Sequence, residues 1–435
     1  MPRQASAVIV IFLLLGSATA NAGQQIWQDI TPHQARSRSA EPGISYFNAD
    51  DVALRNLLGQ APHRSSGDLS HQIQLPMPDG SLAWFQIIES PIMEDGLAQH
   101  YPDIKTFKVF GIDDEYASGR VDITARGFSG MLQTSDGRIF IDPDYSSSQA
   151  NFYSSKYRNS GQPGQPFSCG VHQLNQDREF SQNVESKAAQ RIPGMLLEYR
   201  LAVSATEEYV SAVFNNFIQD SPVDQAQAAI FTAINRVNQI YERDLGIRLV
   251  LVDDNDELIE SGSNVSFSNI DPGKMFKQNA NWIDAVVGIG NYDIGHVFST
   301  GGGGLARIGS VCDNASGTDG TRKAHGVTGL SNPIGDPFYI DYVAHEIGHQ
   351  FGAEHSFNGS TSNCGGGNRV AASAFEPGSG STIMGYAGIC GVENLQLNSD
   401  DTFHAGSISQ INAFTDSAGL LACATQSPTF NADPI

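Results

Sequence analysis

Basic residues are scarce in this 435-residue chain. Its 25 Lys and Arg stand against 47 Asp and Glu, a formal net charge of −22 at pH 7. That deficit excludes a nucleic-acid binder that works through a basic face. It also excludes a protein held to anionic lipid by basic residues. Long apolar runs are missing as well. The run at residues 7–15 falls short of the ~20 residues that a membrane-spanning helix needs, and no later run reaches that length. Repeats are absent, including the Gly/Asp-rich nonapeptides that bind calcium. Cysteine is sparse, at five, and the odd number needs an explanation. With 40% hydrophobic residues the chain is too apolar to be disordered.

The N-terminus points to export. Arg3 is followed by the apolar run and then by small residues ending Ala20-Asn21-Ala22. This reads as a signal peptide, 1–22, so an extracellular or periplasmic protein with disulfides is expected. Residues from 23 to about 142 read as β-rich, with turn signals at Pro78-Asp79-Gly80 and Asp136-Gly137. From 145 to 170 the composition shifts to Ser, Gln, Asn, Gly and Pro, which reads as a linker. A second domain, 192–425, has strand–helix–strand order and reads as an α/β layer, with residues 426–435 as a flexible tail. Within it, 224–246 reads as an amphipathic helix, and another helix is expected from Asp336-Pro337. The acidity sits in this part. Residues 1–194 hold 15 basic and 20 acidic side chains, residues 195–435 hold 10 and 27.

The chemistry concentrates in HEIGHQFGAEH, residues 345–355. His345 and His349 are four apart, about 40° around a helix axis, so both imidazoles face one way and can grip one zinc ion. Glu346 is placed to hold a water rather than the metal. Gly352 can stop the helix in a left-handed turn, which returns His355 as a third ligand. Three protein ligands leave one position open, as a catalytic zinc needs.

This spacing is the zinc signature of the metzincin metallopeptidases, which the chain resembles. GSGSTIMGYAGIC looks like their methionine turn, with Met384 as its methionine. Within the metzincins the chain is similar to the reprolysin/ADAM-like group, especially its exported bacterial members. GLARIGSVCD at 304–313, SISQI and Cys423 carry that likeness. The resemblance implies an α/β (α+β) catalytic domain with a twisted mixed sheet and a zinc-site helix, preceded by a β-rich propeptide, 23–191. It implies a secreted endopeptidase made as a latent zymogen. Cys169 resembles the cysteine switch of ADAM propeptides, whose thiolate would fill the open zinc position. The other reading is an unpaired or intermolecularly bonded cysteine. The pairs Cys312–Cys423 and Cys364–Cys390 are likewise implied by resemblance, since sequence alone permits three pairings of these four. Tyr386 stands where astacins and serralysins place a tyrosine near the metal. It reads either as an oxyanion stabiliser or as a turn residue packed against the cleft wall.

Two departures stand out. Reprolysins usually carry Asp after the third histidine, and this chain carries Ser356, as matrixins do. The stretch from His355 to Met384 is long and contains a Gly/Ser-rich insert. Other histidines are less informative: His404 reads as a helix-start or core residue, His296 and His325 have no ligand-like spacing, and His172 reads as a solvated linker residue, the other reading being part of the latency segment. The 253–257 acidic cluster lacks an EF-hand pattern and reads as a solvated loop, so calcium has no support. One catalytic zinc, protein or peptide substrates, the chain's own propeptide as inhibitor and a monomeric state are expected, with no nucleic acid and no membrane anchor. An extended substrate is expected to pair antiparallel with an edge strand near 304–308. Activation cleavage is expected between about 187 and 195, where Lys187 and Arg191 lie. The competing readings are a catalytically inactive zinc-containing binding or adhesion module, a structural zinc domain closed by a fourth protein ligand, and a matrixin- or serralysin-type enzyme.

Overall fold

The computed structural model describes residues 25–30, 43–145, 151–158, 169–170, 192–260, 262, 267–301 and 303–429. The expected signal segment 1–22, His172, Lys187, Arg191 and residues 430–435 lie outside them.

Among the described residues the first half forms a nine-stranded antiparallel sheet with two short helices. In chain order these are β1 (Trp27–Asp29), β2 (Ile44–Ala49), α1 (Asp51–Leu58), β3 (Gln72–Pro76), β4 (Leu82–Glu89), α2 (Asp95–His100), β5 (Lys105–Gly111), β6 (Ser118–Thr124), β7 (Gly127–Thr134), β8 (Gly137–Pro143) and β9 (Phe152–Tyr157). The spatial order is β1-β2-β9-β8-β7-β6-β5-β4-β3. Turn chemistry sets the register at both expected hairpins. Gly80 takes φ +89° while the Asp79 carboxylate accepts from Ser81 N at 2.9 Å, and Gly137 takes φ +129°. One core of this half joins Ile73, Leu75, Phe85, Ile87 and Val109 to Leu54 and Leu58 of α1. The linker reading of 145–170 needs correcting, because β9 lies within it. Phe152 and Tyr153 are buried there, and pairing to β2 and β8 on both sides outweighs a polar composition.

The second half is a mixed α/β layer domain. It runs β10 (Met195–Ala205), α3 (Glu207–Val213), α4 (Pro222–Leu245), β11 (Ile247–Leu251), α5 (Pro272–Val286), β12 (Ile294–Ser299), β13 (Gly304–Ala306), the short pair β14 (Ser316–Gly317) and β15 (Gly320–Thr321), then β16 (Gly326–Gly329). After these come α6 (His345–Gln350), α7 (Ala405–Thr415), α8 (Ala418–Cys423) and β17 (Thr425–Pro428). The twisted main sheet has the order β11-β10-β12-β16-β13. Strands β11, β10, β12 and β16 are parallel, and β13 is antiparallel to β16 and forms the edge. The flexible-tail reading is corrected at its start, because β17 pairs antiparallel with β10 through Met195–Glu198. The disulfides are Cys312–Cys423 and Cys364–Cys390, the pairs the resemblance implies. No helix among the described residues is long and apolar enough to cross a membrane.

The seam between the halves is α4. Ser221 Oγ accepts from Asp224 N at 3.2 Å at its start, Pro222 opens its first turn, and Gly246 closes it at φ +62°. An amphipathic pattern predicts one solvated face, yet residues 225–242 are buried all round. The polar face is covered by the first sheet. Thr232 Oγ1 and Asn235 Nδ2 donate to Asp122 at 2.8 and 3.1 Å. Arg120 donates to Asn235 Oδ1 at 2.7 Å and Glu242 Oε1 at 2.9 Å, and Arg248 reaches the same Glu242 oxygen at 2.6 Å. Arg236 pairs with Asp142, and Arg158 with Asp336 and Asp341. Buried charges persist because each has an opposite partner. Backbone pairing adds to the seam, since Leu251 N donates to Ile92 O at 2.8 Å and Glu94 N to Leu251 O at 2.9 Å. The 253–257 loop belongs to this seam and is not simply solvated: Asp253 Oδ1 accepts from Gly96 N at 2.6 Å at the start of α2.

Candidate metal centre and active site

The helix expected from Asp336-Pro337 is present, but it begins as a π-helix, Pro337–Ala344, that runs into α6. His345, Glu346 and His349 are fully buried there. Gly352 then takes φ +92°, and the chain turns back to bring in His355. Two bonds lock α6 to the sheet: Gln350 Nε2 donates to Gly295 O at 3.0 Å, and Gln350 Oε1 lies 2.9 Å from His296 Nδ1. Burial pushes His296 down to about 4, so it stays a neutral strut. Sequence reasoning left His296 without a role and passed over Gln350, because a lock between two elements has no local spacing signature.

The three predicted ligands converge. His349 Nε2 lies 3.1 Å from His345 Nε2 and 3.1 Å from His355 Nε2. Tetrahedral ligands at ~2.05 Å from a zinc ion lie roughly 3.3 Å apart, so the spacing fits that ion. Each Nδ1 faces a carbonyl: His345 to Ile383 O at 2.6 Å, His349 to Ala353 O at 2.7 Å, and His355 to Asn368 O at 2.8 Å. A carbonyl can only accept, so the proton sits on Nδ1 and the Nε2 lone pairs point inward. Burial pushes His345 down to about 4, which favours the neutral, ligating form. Met384 lies beneath the helix, and a Cβ at Gly348 would come within 2.7 Å of its sulfur. Its neighbour Ile383 supplies the carbonyl for His345.

Cys169 completes the cluster. Its Sγ is 3.8 Å from His349 Nε2, and with the three histidines it forms a group whose ligand atoms all lie within 4.8 Å of one another. The backbone at Cys169 bridges to Gly304 of edge strand β13 in parallel, with Gly170 N donating to Gly304 O at 2.8 Å. Burial pushes Glu346 up to about 8, partly offset by a hydrogen bond with Cys169. Gly304 packs directly on Glu346, for a Cβ there would lie 2.5 Å from Cδ. The Tyr386 ring centroid is 4.5 Å from that of His355, and its hydroxyl is raised well above its ordinary value by burial and then by Cys169. Cys169 therefore sits among Glu346, Tyr386 and His349, on the side facing β13.

His404 and His325 hold structure. His404 Nδ1 accepts from Gly406 N at 3.0 Å at the start of α7, and His325 packs tilted against Phe276 with ring centroids 3.8 Å apart.

Residues 223–416 match the family described as Metallo-peptidase family M12B Reprolysin-like. That match supports a reprolysin-like metallopeptidase domain in the second half of the chain. Among solved structures, metalloproteinase-II from Bacteroides fragilis aligns with 84% of this chain and 96% of its own, at 12% identity and a TM-score of 0.46. No curated protein sequence matches the chain.

Proposed function

We propose that the protein is an exported zinc endopeptidase of metzincin type, made as a precursor that Cys169 keeps latent. The observation that carries the reading is the convergence of three Nε2 atoms beside Glu346, with every Nδ1 committed to a carbonyl. Bound zinc supplies Lewis-acid polarisation of the scissile carbonyl and makes water acidic enough to lose its proton near neutral pH. The chain does the rest. Glu346 takes the proton of the attacking water and later hands it to the leaving amine. The backbone of β13 orients an extended substrate as an antiparallel neighbour, on the strand edge that Cys169-Gly170 occupies. The Tyr386 hydroxyl donates to the oxygen on which charge develops.

The same geometry supports latency. The Cys169 sulfur supplies a fourth ligand atom and stands where water and the substrate carbonyl must come. The first sheet then acts as a prosegment that releases after cleavage between about 187 and 195. The character of α4 supports release. Thr232, Asn235, Arg236 and Glu242 on its covered face are side chains that water solvates well once the sheet leaves. Incubating the purified precursor with zinc, with and without a chelator, and following casein hydrolysis and the new N-terminus tests the proposal. Zinc-dependent hydrolysis by a form starting near 187–195 supports it; hydrolysis that survives full metal removal overturns it.

A further inference from the structure

The insert between His355 and Met384 touches the third histidine on one side and the residue after it on the other. Asn368 O accepts from His355 Nδ1 at 2.8 Å. Asn368 is held by its own Nδ2, which donates to Asn363 O at 2.7 Å, and Asn363 N donates to Ile389 O at 3.2 Å. Next to Asn363, Cys364 is bonded to Cys390. The carbonyl that aims His355 is thus moored by the disulfide loop.

The second side is Glu376, which is 6% exposed. Its carboxylate accepts from Ser356 Oγ, from Thr382 Oγ1 at 2.6 Å, from Ser381 N at 2.9 Å and from Thr382 N at 3.1 Å. Its backbone brackets the same segment, with Glu376 N donating to Ser356 O at 2.9 Å and Asn358 N to Glu376 O at 2.8 Å. Ser356 N donates in turn to Met384 O at 3.0 Å. One buried carboxylate therefore joins the residue after the third ligand to the methionine turn. A carboxylate from the insert thus meets the serine that follows the third histidine.

We infer that the insert is a built support of the metal centre: Asn368 and Glu376 are positioning residues that fix His355, and the Cys364–Cys390 bridge holds the Asn368 arm in place. This rests on the zinc reading above. Outer partners of metal-bound histidines fix ring orientation, and losing one commonly costs about 10–100-fold in metal affinity or activity.

The test uses the full chain. Zinc affinity is measured by competition with a chromophoric chelator, alongside the visible spectrum of the Co²⁺-exchanged protein. The variants are Glu376→Ala, Glu376→Gln and Cys364→Ala/Cys390→Ala. Leu249→Ala, a core truncation in β11 at the far edge of the sheet, serves as a control for lost stability. Each insert variant should bind zinc about tenfold or more weakly and change the Co²⁺ spectrum, while Leu249→Ala keeps both at wild-type values. Glu376→Gln, which conserves volume, answers for the carboxylate should Glu376→Ala fail to fold. Wild-type affinity in either arm overturns the inference, and so does an equal loss in Leu249→Ala. A wild-type chain that takes up no zinc overturns the metal reading itself.

Discussion

Gly304→Ala separates the role proposed for Glu346 from that proposed for the three histidines. Gly304 lies in a strand, so alanine fits its backbone, and the carbonyl that accepts from Gly170 N is kept. The added methyl is what matters. It would lie 2.5 Å from Glu346 Cδ and 2.9 Å from Cγ. Carbon atoms rest at about 3.5–4.0 Å, so the Glu346 side chain must move by roughly 1 Å. A misplacement of ~1 Å at a reacting group costs about 10²-fold in rate, or about 2.7 kcal/mol of transition-state stabilisation. The three atoms nearest the new methyl all belong to Glu346 and none to a histidine, so zinc content should remain at one per chain. The assay is hydrolysis of a quenched peptide by the processed enzyme, with zinc measured on the same sample. Wild-type hydrolysis in Gly304→Ala would refute the placement of Glu346 against β13; lost zinc would show that the damage reaches the ligands.

Cys169→Ala should give an uncleaved precursor that hydrolyses the peptide about tenfold or more faster than the wild-type precursor, because the fourth ligand atom is gone; equal latency would argue against the switch. Arg120→Ala leaves Glu242 facing Arg248 and Lys108 without its third, fully buried partner. It should destabilise the full chain by about 3–5 kcal/mol in chemical denaturation, while leaving the processed enzyme unchanged. A pH dependence follows from Asp122, which burial pushes up to about 6. Its folded value exceeds its unfolded value of about 4, so the stability it contributes is present below that value and is lost as pH rises through 6. Asp122→Asn should flatten the fall in Tm of the full chain between about pH 4 and 7, and an unchanged slope would contradict this.

The histidine cluster was legible in the sequence for a physical reason. His345, His349 and Glu346 share one helical turn, and Gly352 takes the left-handed turn that spacing requires. Hairpin turns with Gly80 and Gly137 were legible through the same conformational preference. The supports of the site were not. Asn368 and Ile383 act through backbone carbonyls, which any residue carries, and Glu376 meets Ser356 across a loop that no periodicity describes. The cover over α4 was hidden for a different reason. Amphipathicity reports that a face is polar, and Asp122 and Arg120 satisfy polar groups as water does. Strands β9 and β17 were missed because pairing partners, rather than composition, decide them.

The central claim is that three histidines hold zinc while Glu346 performs the proton transfer. Glu346→Gln separates the two directly, since it removes the base and touches no ligand atom. The measurement is zinc content together with casein hydrolysis of the processed variant. The account predicts one zinc per chain and no hydrolysis; hydrolysis at the wild-type rate would contradict it.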